Sequence, residues 1–249
     1  VVNQDGTLAS TGSFFVGPKY SSIGQAPGEN LFLSGSAVYV LGPAVRAGAT
    51  PLPDYLWIAK LSLGGAVDES FGDECNQPPT TCSVGRSGFL VDDTGFDVAR
   101  YGDAILWGNQ AFVTAAVSAG VGDSRLRVTR FNLVGNSTAN LVQEGDASSR
   151  YFPDAIAVQA DGKIIVGGFE GASGGDTSMF LIRFSSGGGR DGTFGLGGKV
   201  SLDLSPGADE IRDVVVNSDG TILAVGLSGA EAFSARFLSP WPTALACKN

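Results

Sequence analysis

The chain has 249 residues, a size that all-β sandwiches and barrels often fill as a single domain. Its 25 acidic and 16 basic residues give a formal net charge of −9, which excludes nucleic acid as a partner because phosphate contacts need clustered Lys and Arg. The absence of His excludes Ser-His-Asp and Cys-His nucleophile systems, His-ligated metals and imidazole general bases. Any enzyme would therefore have to use carboxylates, Lys, Tyr or Arg, and the leading prediction assigns no catalytic residue.

The first predicted elements are a turn, a strand and a hairpin. Residues 3–16 read as a tight Asp5-Gly6 turn followed by an apolar strand at Phe14-Phe15-Val16, with no hairpin in front of them. A hairpin is predicted at 31–40 and a third strand at 55–61. The segment 63–72 then resembles the N-terminal turn, and a fourth strand is predicted at 88–92.

A polar insertion separates that turn from its strand. Cys75 and Cys82 bracket six residues with nothing to bury two thiols, so a disulfide is predicted. The alternative is a pair of unpaired surface thiols in a cytosolic protein. It is disfavoured because exposed thiols oxidise. The disulfide implies an extracellular, cell-surface or periplasmic location. Cys247 is left over and is either free or joined to another chain.

The later elements repeat this order. Hairpins are predicted at 104–114, 155–167 and 213–225, and in the last two a two-residue Asp-Gly loop is expected to supply positive φ. The third strands end in an Arg-Phe pair that recurs every 53 residues, at Arg130, Arg183 and Arg236. These arginines are expected to bridge neighbouring sheets, with anion binding as the alternative.

The repeat predicts an all-β fold: a β-propeller of about four four-stranded blades in a single domain, 1–249, whose N-terminal strand completes the last blade. The repeating units, which we call cassettes, span approximately 17–92, 93–145, 146–204 and 205–249 plus 1–16. The alternative is one piece of a longer array or of a larger adhesin. No helical period persists, so few helices are expected, and no stretch of 18 apolar residues suggests membrane insertion.

Two segments closely resemble a known repeat. Residues 154–168, with the Arg183-Phe184 pair and the run Asp191-Gly-Thr-Phe-Gly-Leu-Gly-Gly-Lys-Val200, are similar to the delta-60 β-propeller repeat of bacterial secreted and surface proteins. The resemblance is strongest across 151–226 and weakest across 30–145. It implies an extracellular propeller-like array and carries no general catalytic residues.

Carboxylates in the loops between cassettes form the main candidate site. They would coordinate calcium, the one cofactor considered, or line the mouth of a channel. The alternative is that they cap backbone N–H groups in turns. The candidates are Asp92, Asp93, Asp97, Asp209, Glu210 and Asp213.

Aromatic side chains are the second candidates, since exposed Trp and Tyr stack on sugars or contact proteins. Trp241, between two prolines, and Tyr101 are the predicted ligand contacts, whereas Trp57 is expected in the core.

The function predicted is a non-enzymatic extracellular binding module, or a structural and assembly module, of a bacterial surface or secreted protein. Its partner would be a protein or glycan on a cell surface, or other copies of itself. The alternative is a carboxylate-dependent glycosidase or lyase that acts on polysaccharide, with Asp97 and Asp213 as its best candidate residues.

Overall fold

The computed structural model describes residues 23–25, 28–46, 55–72, 88–93, 97–118, 123–134, 136–145, 150–171 and 176–238. All regular structure in these ranges is β-strand, and the sixteen strands form four sheets. The all-β prediction is confirmed. No helix among the described residues could cross a membrane.

The four sheets follow one another in chain order. Sheet I holds β1 (Ile23–Gln25), β2 (Asn30–Ser34), β3 (Ala37–Arg46), β4 (Tyr55–Ser62) and β5 (Phe89–Asp93). Sheet II holds β6 (Asp97–Trp107), β7 (Gln110–Ser118), β8 (Arg125–Asn132) and β9 (Ser137–Glu144). Sheet III holds β10 (Tyr151–Val158), β11 (Ile164–Gly171), β12 (Thr177–Phe184) and β13 (Lys199–Leu202). Sheet IV holds β14 (Asp209–Val216), β15 (Ile222–Ser228) and β16 (Glu231–Phe237).

Successive strands pair in sequence order within each sheet, except that β1 and β2 both pair with β3. The pairs of sheets I, III and IV are antiparallel. The chain divides into two compact units. One comprises Val1–Val98, Gly108–Ala111 and Arg130–Ala139, and the other comprises Ala99–Trp107, Phe112–Thr129 and Asn140–Asn249.

The predicted Asp-Gly hairpins form, but their loops have three residues instead of two. In the β10–β11 turn, Gln159 N donates to Lys163 O at 2.8 Å, and only Gly162 takes a positive φ, of 82°. The Asp161 carboxylate accepts the Lys163 N–H at 3.2 Å, which favours a negative φ at the aspartate and leaves the left-handed position to the glycine. This is a type I turn followed by a glycine bulge. The same backbone hydrogen bonds recur at 62–66, 185–189 and 217–221.

One further hydrogen-bond arrangement recurs before the last strand of sheets I and III. Phe71 and Phe194 are buried, and each accepts a backbone hydrogen bond at 2.8 Å, from Gly88 and Gly198 respectively. The sequence between the bonded residues differs greatly in length, because residues 73–87 stand where sheet III has only 196–197. The connecting segments of sheets I and III therefore differ in length, but each begins after the buried Phe and ends at the Gly that donates to it.

Sheet III is covered on both faces. One face packs in a cluster with sheet IV, through residues such as Leu181 of β12 and Ile222 of β15. The other face packs in a cluster with sheet II, through residues such as Ile182 of β12 and Leu126 of β8. This alternation along β12 follows the two-residue period of a strand buried on both sides.

Sheet IV is buried on one face only. On its other face Leu223, Val225 and Leu227 of β15 remain 38%, 39% and 40% exposed, and Val215 of β14 is 51% exposed. In sheet III the corresponding face forms the cluster with sheet IV. The predicted strand at 14–16 that would complete sheet IV lies outside the described residues.

Candidate functional site

An open cavity of about 650 Å³, lined by both polar and apolar atoms, lies between two equivalent hairpin turns of sheets III and IV. We call it the turn pocket. Its walls are the β10–β11 turn, 159–163, and the β14–β15 turn, 217–221, while β12 and the turn before β13 contribute further groups. The lining residues are Val158, Gln159, Ala160, Asp161, Lys163, Arg183, Thr193, Val216, Asn217, Ser218 and Gly220.

The charged side chains that line the pocket pair either with one another or with Asp191, which is not itself a lining residue. Lys163 Nζ lies 2.8 Å from a carboxylate oxygen of Asp161 and 3.6 Å from Oδ2 of Asp191. Arg183 is 2% exposed, and its Nε lies 3.0 Å from the same Asp191 oxygen. Its NH2 group donates to Thr193 Oγ1 at 2.9 Å. Two cations and two anions therefore balance at this site.

Both carboxylates of this network are held in the ionised form. The hydrogen bond from Lys163 lowers the pKa of Asp161. Burial acts to raise the pKa of Asp191, but hydrogen bonds from Thr193 and the charges of Arg183 and Lys163 outweigh it and lower that pKa. A general acid must carry a proton at the working pH, so neither group suits that role.

Amide and hydroxyl groups complete the lining. Gln159 Nε2 donates to Gly220 O at 3.4 Å and so links one turn to the other. Asn217 Nδ2 donates to Thr221 Oγ1 at 3.0 Å. Ser218 is exposed in the second turn. These groups include both donors and acceptors, the combination that complements hydroxyl groups of a ligand.

An exposed aromatic ring lies against the first turn. Trp107, the last residue of β6, is 39% exposed. A Cβ placed on Gly162 would be 3.4 Å from the edge of its indole ring. The ring therefore lies within van der Waals range of the turn and offers an apolar surface beside the turn pocket.

A second charge network joins the first strands of three sheets. Asp154 of β10 lies 2.8 Å from Arg100 of β6 and 3.1 Å from Arg212 of β14. Arg212 also pairs with Glu210. Burial raises the pKa of Asp154, against the opposing charges of the two arginines.

The bridging arginines are therefore not the predicted ones, and that hypothesis is corrected. Arg183 pairs with Asp191 within sheet III, and Arg236 pairs with Asp219 within sheet IV at 2.7 Å. Each guanidinium lies near a turn of its own sheet, because the Arg-Phe position is at the end of a strand.

The predicted loop carboxylates do not gather in one place. Asp209 is fully buried and accepts hydrogen bonds from the backbone of Leu204 and Ser205 and from the Ser205 hydroxyl. Burial would raise its pKa, but these bonds outweigh burial and lower it. The geometry of Asp209 is that of a loop cap, the alternative considered for this set.

The other candidates have separate surroundings. Glu210 pairs with Arg212, and Asp213 accepts the Val214 N–H at 2.7 Å. Asp92 is buried on β5, where Asp93 also lies, and Asp97 is exposed at the start of β6. Within the described ranges, no three Asp, Glu, Cys or His side chains form a group that could hold a metal. Calcium binding stays a prediction.

Of the remaining residues singled out from the sequence, some are among the described residues and some are not. Trp57 is fully buried and donates to Pro43 O at 3.0 Å, which confirms its core assignment. Tyr101 is half-buried on β6. Cys75, Cys82, Cys247 and Trp241 lie outside the described residues.

Sequence reasoning did not select the residues of the turn pocket. The Asp161-Gly162 and Asp219-Gly220 pairs were explained by turn geometry, and the structure confirms that Asp161 and Asp219 accept backbone N–H groups within their turns. What the pattern did not reveal is that two such turns lie side by side. Their recurrence in consecutive cassettes was the available signal.

No protein-family model and no curated protein matches the chain. Among solved structures, it is similar to a crystal structure of a "putative hydrolase" from Bacteroides ovatus, with 13% sequence identity and a TM-score of 0.38. The similarity covers 86% of this chain and 68% of that one. A likeness at this level carries no argument about function. The resemblance to the delta-60 repeat stays a prediction.

Proposed function

We propose that this chain is a non-enzymatic binding module that holds a neutral saccharide in the turn pocket. The observation that carries the proposal is that every charged side chain lining the pocket is paired: Lys163 with Asp161, and Arg183 with Asp191, which is not itself a lining residue. A balanced network attracts neither anions nor cations strongly, but its fixed donors and acceptors suit hydroxyl groups.

Size and surroundings support the same ligand class. The volume of about 650 Å³ is within the usual range of small-molecule sites, about 300–1,000 Å³. Trp107 lies beside the first turn and offers a face on which a sugar ring can stack. The two amide side chains, of Gln159 and Asn217, are oriented by their own hydrogen bonds, so little ordering is needed on binding.

Carbohydrate binding is tested on a glycan array and then by calorimetry with the best glycan. Ala160→Trp and Ser218→Trp place a large side chain at equivalent exposed turn positions that line the pocket. Leu63→Trp is the matched control, because Leu63 occupies the same position of the 62–66 turn in sheet I. We expect the two pocket variants to lose at least about tenfold in affinity, roughly 1.4 kcal/mol, and the control to bind normally. Equal binding by all three variants would contradict the proposal.

The proposed architecture is a β-propeller of four sheets, with the N-terminal strand completing sheet IV. Sheet III already packs against a sheet on each face, as an internal blade would. The outer face of sheet IV carries exposed Leu223, Val225 and Leu227, which need a cover in a stable fold. A monomeric ring of 249 residues predicts a radius of gyration of about 18 Å by X-ray scattering. A much larger value would support an open array.

We also propose an extracellular, cell-surface or periplasmic location, with a partner that displays glycans. The support is the Cys75 and Cys82 spacing and the acidic net charge. Mass analysis after alkylation, with and without reduction, tests the disulfide. Array binding with and without a chelator tests the calcium prediction, since a calcium-dependent lectin would lose its signal.

A carboxylate-dependent glycosidase remains the competing hypothesis, and one observation favours it. The raised pKa of Asp154, in the network with Arg100 and Arg212, is the kind of shift that a general acid shows. Glycan hydrolysis that falls strongly with Asp154→Asn would establish this alternative. Asp97→Asn and Asp213→Asn test the carboxylates selected from the sequence.

A further inference from the structure

The turn pocket has a counterpart one sheet earlier in the chain. In the pocket, Gln159 directly follows β10 and donates to Gly220 O in the turn of sheet IV. Trp107 ends β6, and its ring lies against Gly162 in the turn of sheet III. In both places a side chain at the end of a first strand contacts the positive-φ glycine of the next hairpin turn. Because sheet III packs against sheet II on one face and sheet IV on the other, the two contacts lie on opposite sides of the β10–β11 turn.

We call the space beside Trp107 the indole gap. A Cβ on Gly162 would lie 3.4 Å from Cη2 of the indole ring, 3.9 Å from Cζ2 and 3.3 Å from Ser186 Cβ. The ring therefore meets the turn through its edge, and this contact covers neither of its faces. Ser186 is exposed, and its hydroxyl can both donate and accept a hydrogen bond. The indole gap thus combines an apolar ring with a polar group.

The two sites complement different parts of a sugar ring. The turn pocket presents the amide groups of Gln159 and Asn217 together with the Lys163–Asp161 ion pair, which suit hydroxyl groups. The Trp107 ring suits an apolar face. A glucose-type ring has equatorial hydroxyls at its edge and C–H groups on both faces. Linked rings of this type can therefore satisfy both sites.

The turn between the two sites is low and polar at its tip. Its exposed residues are Ala160 and Asp161, whereas Gly162 is buried and Lys163 is half-buried. Ala160 and Asp161 also line the turn pocket. The Asp161 side chain is 54% exposed, so its carboxylate can accept hydrogen bonds from hydroxyl groups that lie over the turn. A sugar chain can thus leave the open pocket across this turn.

Sheet spacing sets the length of a ligand that reaches both sites. Packed sheets lie about 10 Å apart, so the indole gap and the turn pocket are offset by about one such spacing. Directly linked sugar rings lie closer together than this. A chain that contacts both sites therefore needs a further ring over the β10–β11 turn.

We infer that the ligand is a neutral chain of at least three linked glucose-type sugars, which crosses the β10–β11 turn from the turn pocket to Trp107. One ring lies in the pocket, one lies over Ala160 and Asp161, and one stacks on the indole. This inference rests on the proposed function and specifies its ligand as an oligosaccharide or polysaccharide instead of a single sugar.

The dependence of affinity on ligand length tests the inference. Calorimetry with the full chain uses glucose and the cello-, laminari- and malto-oligosaccharides of increasing length. In at least one series, affinity is expected to rise roughly fivefold or more from the disaccharide to the trisaccharide, because the third ring gains the indole contact.

Three variants locate the source of this rise. Trp107→Ala is expected to abolish it, and Trp107→Phe is expected to retain most of it, since a phenyl ring also stacks. Ser218→Trp is expected to weaken binding at every length, because Ser218 lines the pocket itself. Leu204→Ala is the control and should keep the rise. Leu204 is 56% exposed and follows β13 at the opposite end of sheet III from the β10–β11 turn.

Each outcome decides between the two proposals. Affinity that does not depend on length, or a rise that persists in Trp107→Ala, would overturn the inference while leaving saccharide binding in the turn pocket intact. A rise lost equally in Leu204→Ala would also overturn it, because the effect would not be specific to the indole. If none of the three series binds, the inference is wrong, and the glycan array decides separately whether the pocket holds another sugar.

Discussion

Two aspartates with the same side-chain hydrogen bonds allow a direct measurement of what burial does to an ion pair. Asp191 Oδ1 accepts bonds from the backbone and hydroxyl of Thr193, and Asp219 Oδ1 accepts the same bonds from Thr221. Their Oδ2 atoms lie 3.0 Å from Arg183 and 2.7 Å from Arg236. The guanidinium groups differ in exposure, at 2% and 59%.

Asp191→Asn is expected to destabilise the fold strongly. The amide keeps an oxygen for the Thr193 hydrogen bonds, so the change removes mainly the charge that balances buried Arg183. Breaking a buried pair from one side costs about 3–5 kcal/mol. At about 2–4 °C per kcal/mol for a chain of this size, even the lower figure lowers the melting temperature by roughly 6–12 °C.

Asp219→Asn is the matched control, and its melting temperature is expected to stay close to that of the wild type, because solvent screens the exposed pair. Circular dichroism melts and urea titrations at pH 7 measure both variants. Equal shifts for Asp191→Asn and Asp219→Asn would refute the argument that burial sets the energy of the pair.

Three further predictions concern stability. Gly168→Ala is expected to cost several kcal/mol, since its Cβ would lie 2.1 Å from Phe152 O, whereas Gly192→Ala, with nothing within 4 Å, should leave the urea midpoint nearly unchanged. Trp57→Phe removes the buried donor to a carbonyl oxygen and is expected to cost about 1–3 kcal/mol by the same titration. Acid unfolding followed by circular dichroism tests the lowered pKa values of Asp191 and Asp209. Their contribution to stability is expected to be full above the ordinary Asp pKa of 3.8 and to be lost as the pH falls through the lowered values. Unfolding centred well above pH 4 would contradict those directions.

The sheets were predictable because their signals are local. Apolar alternation around Asp161-Gly162 fixes a hairpin, and the recurring Arg-Phe pair fixes the repeat phase. Loop length was not predictable from the Asp-Gly pair, because the aspartate can either take positive φ itself or accept a hydrogen bond and leave that φ to the glycine. The distances from Asp161 decide for the second case.

The site was less predictable because it depends on which sheets are neighbours. The pairing of Asp154 with Arg100 and Arg212 joins the first strands of three sheets. The sequence around each of these residues does not indicate that the other two are its partners. Recurrence of the arginine indicates a structural role but does not identify its partner, so a partner in the neighbouring sheet was expected. Its partner proved to be a turn in the same sheet.

The different lengths of sequence after Phe71 and Phe194 have a practical meaning. Gly72 is so close to the Phe89 backbone that a Cβ there would lie 2.4 Å from its nitrogen, and Gly195 is equally close to Lys199. The two ends of the longer segment are thus fastened together before its interior begins, and closing a longer loop costs only about 0.6 kcal/mol for each doubling of length. We therefore expect this point to accept grafted peptides, such as an epitope or an affinity tag, because the scaffold holds both ends in register.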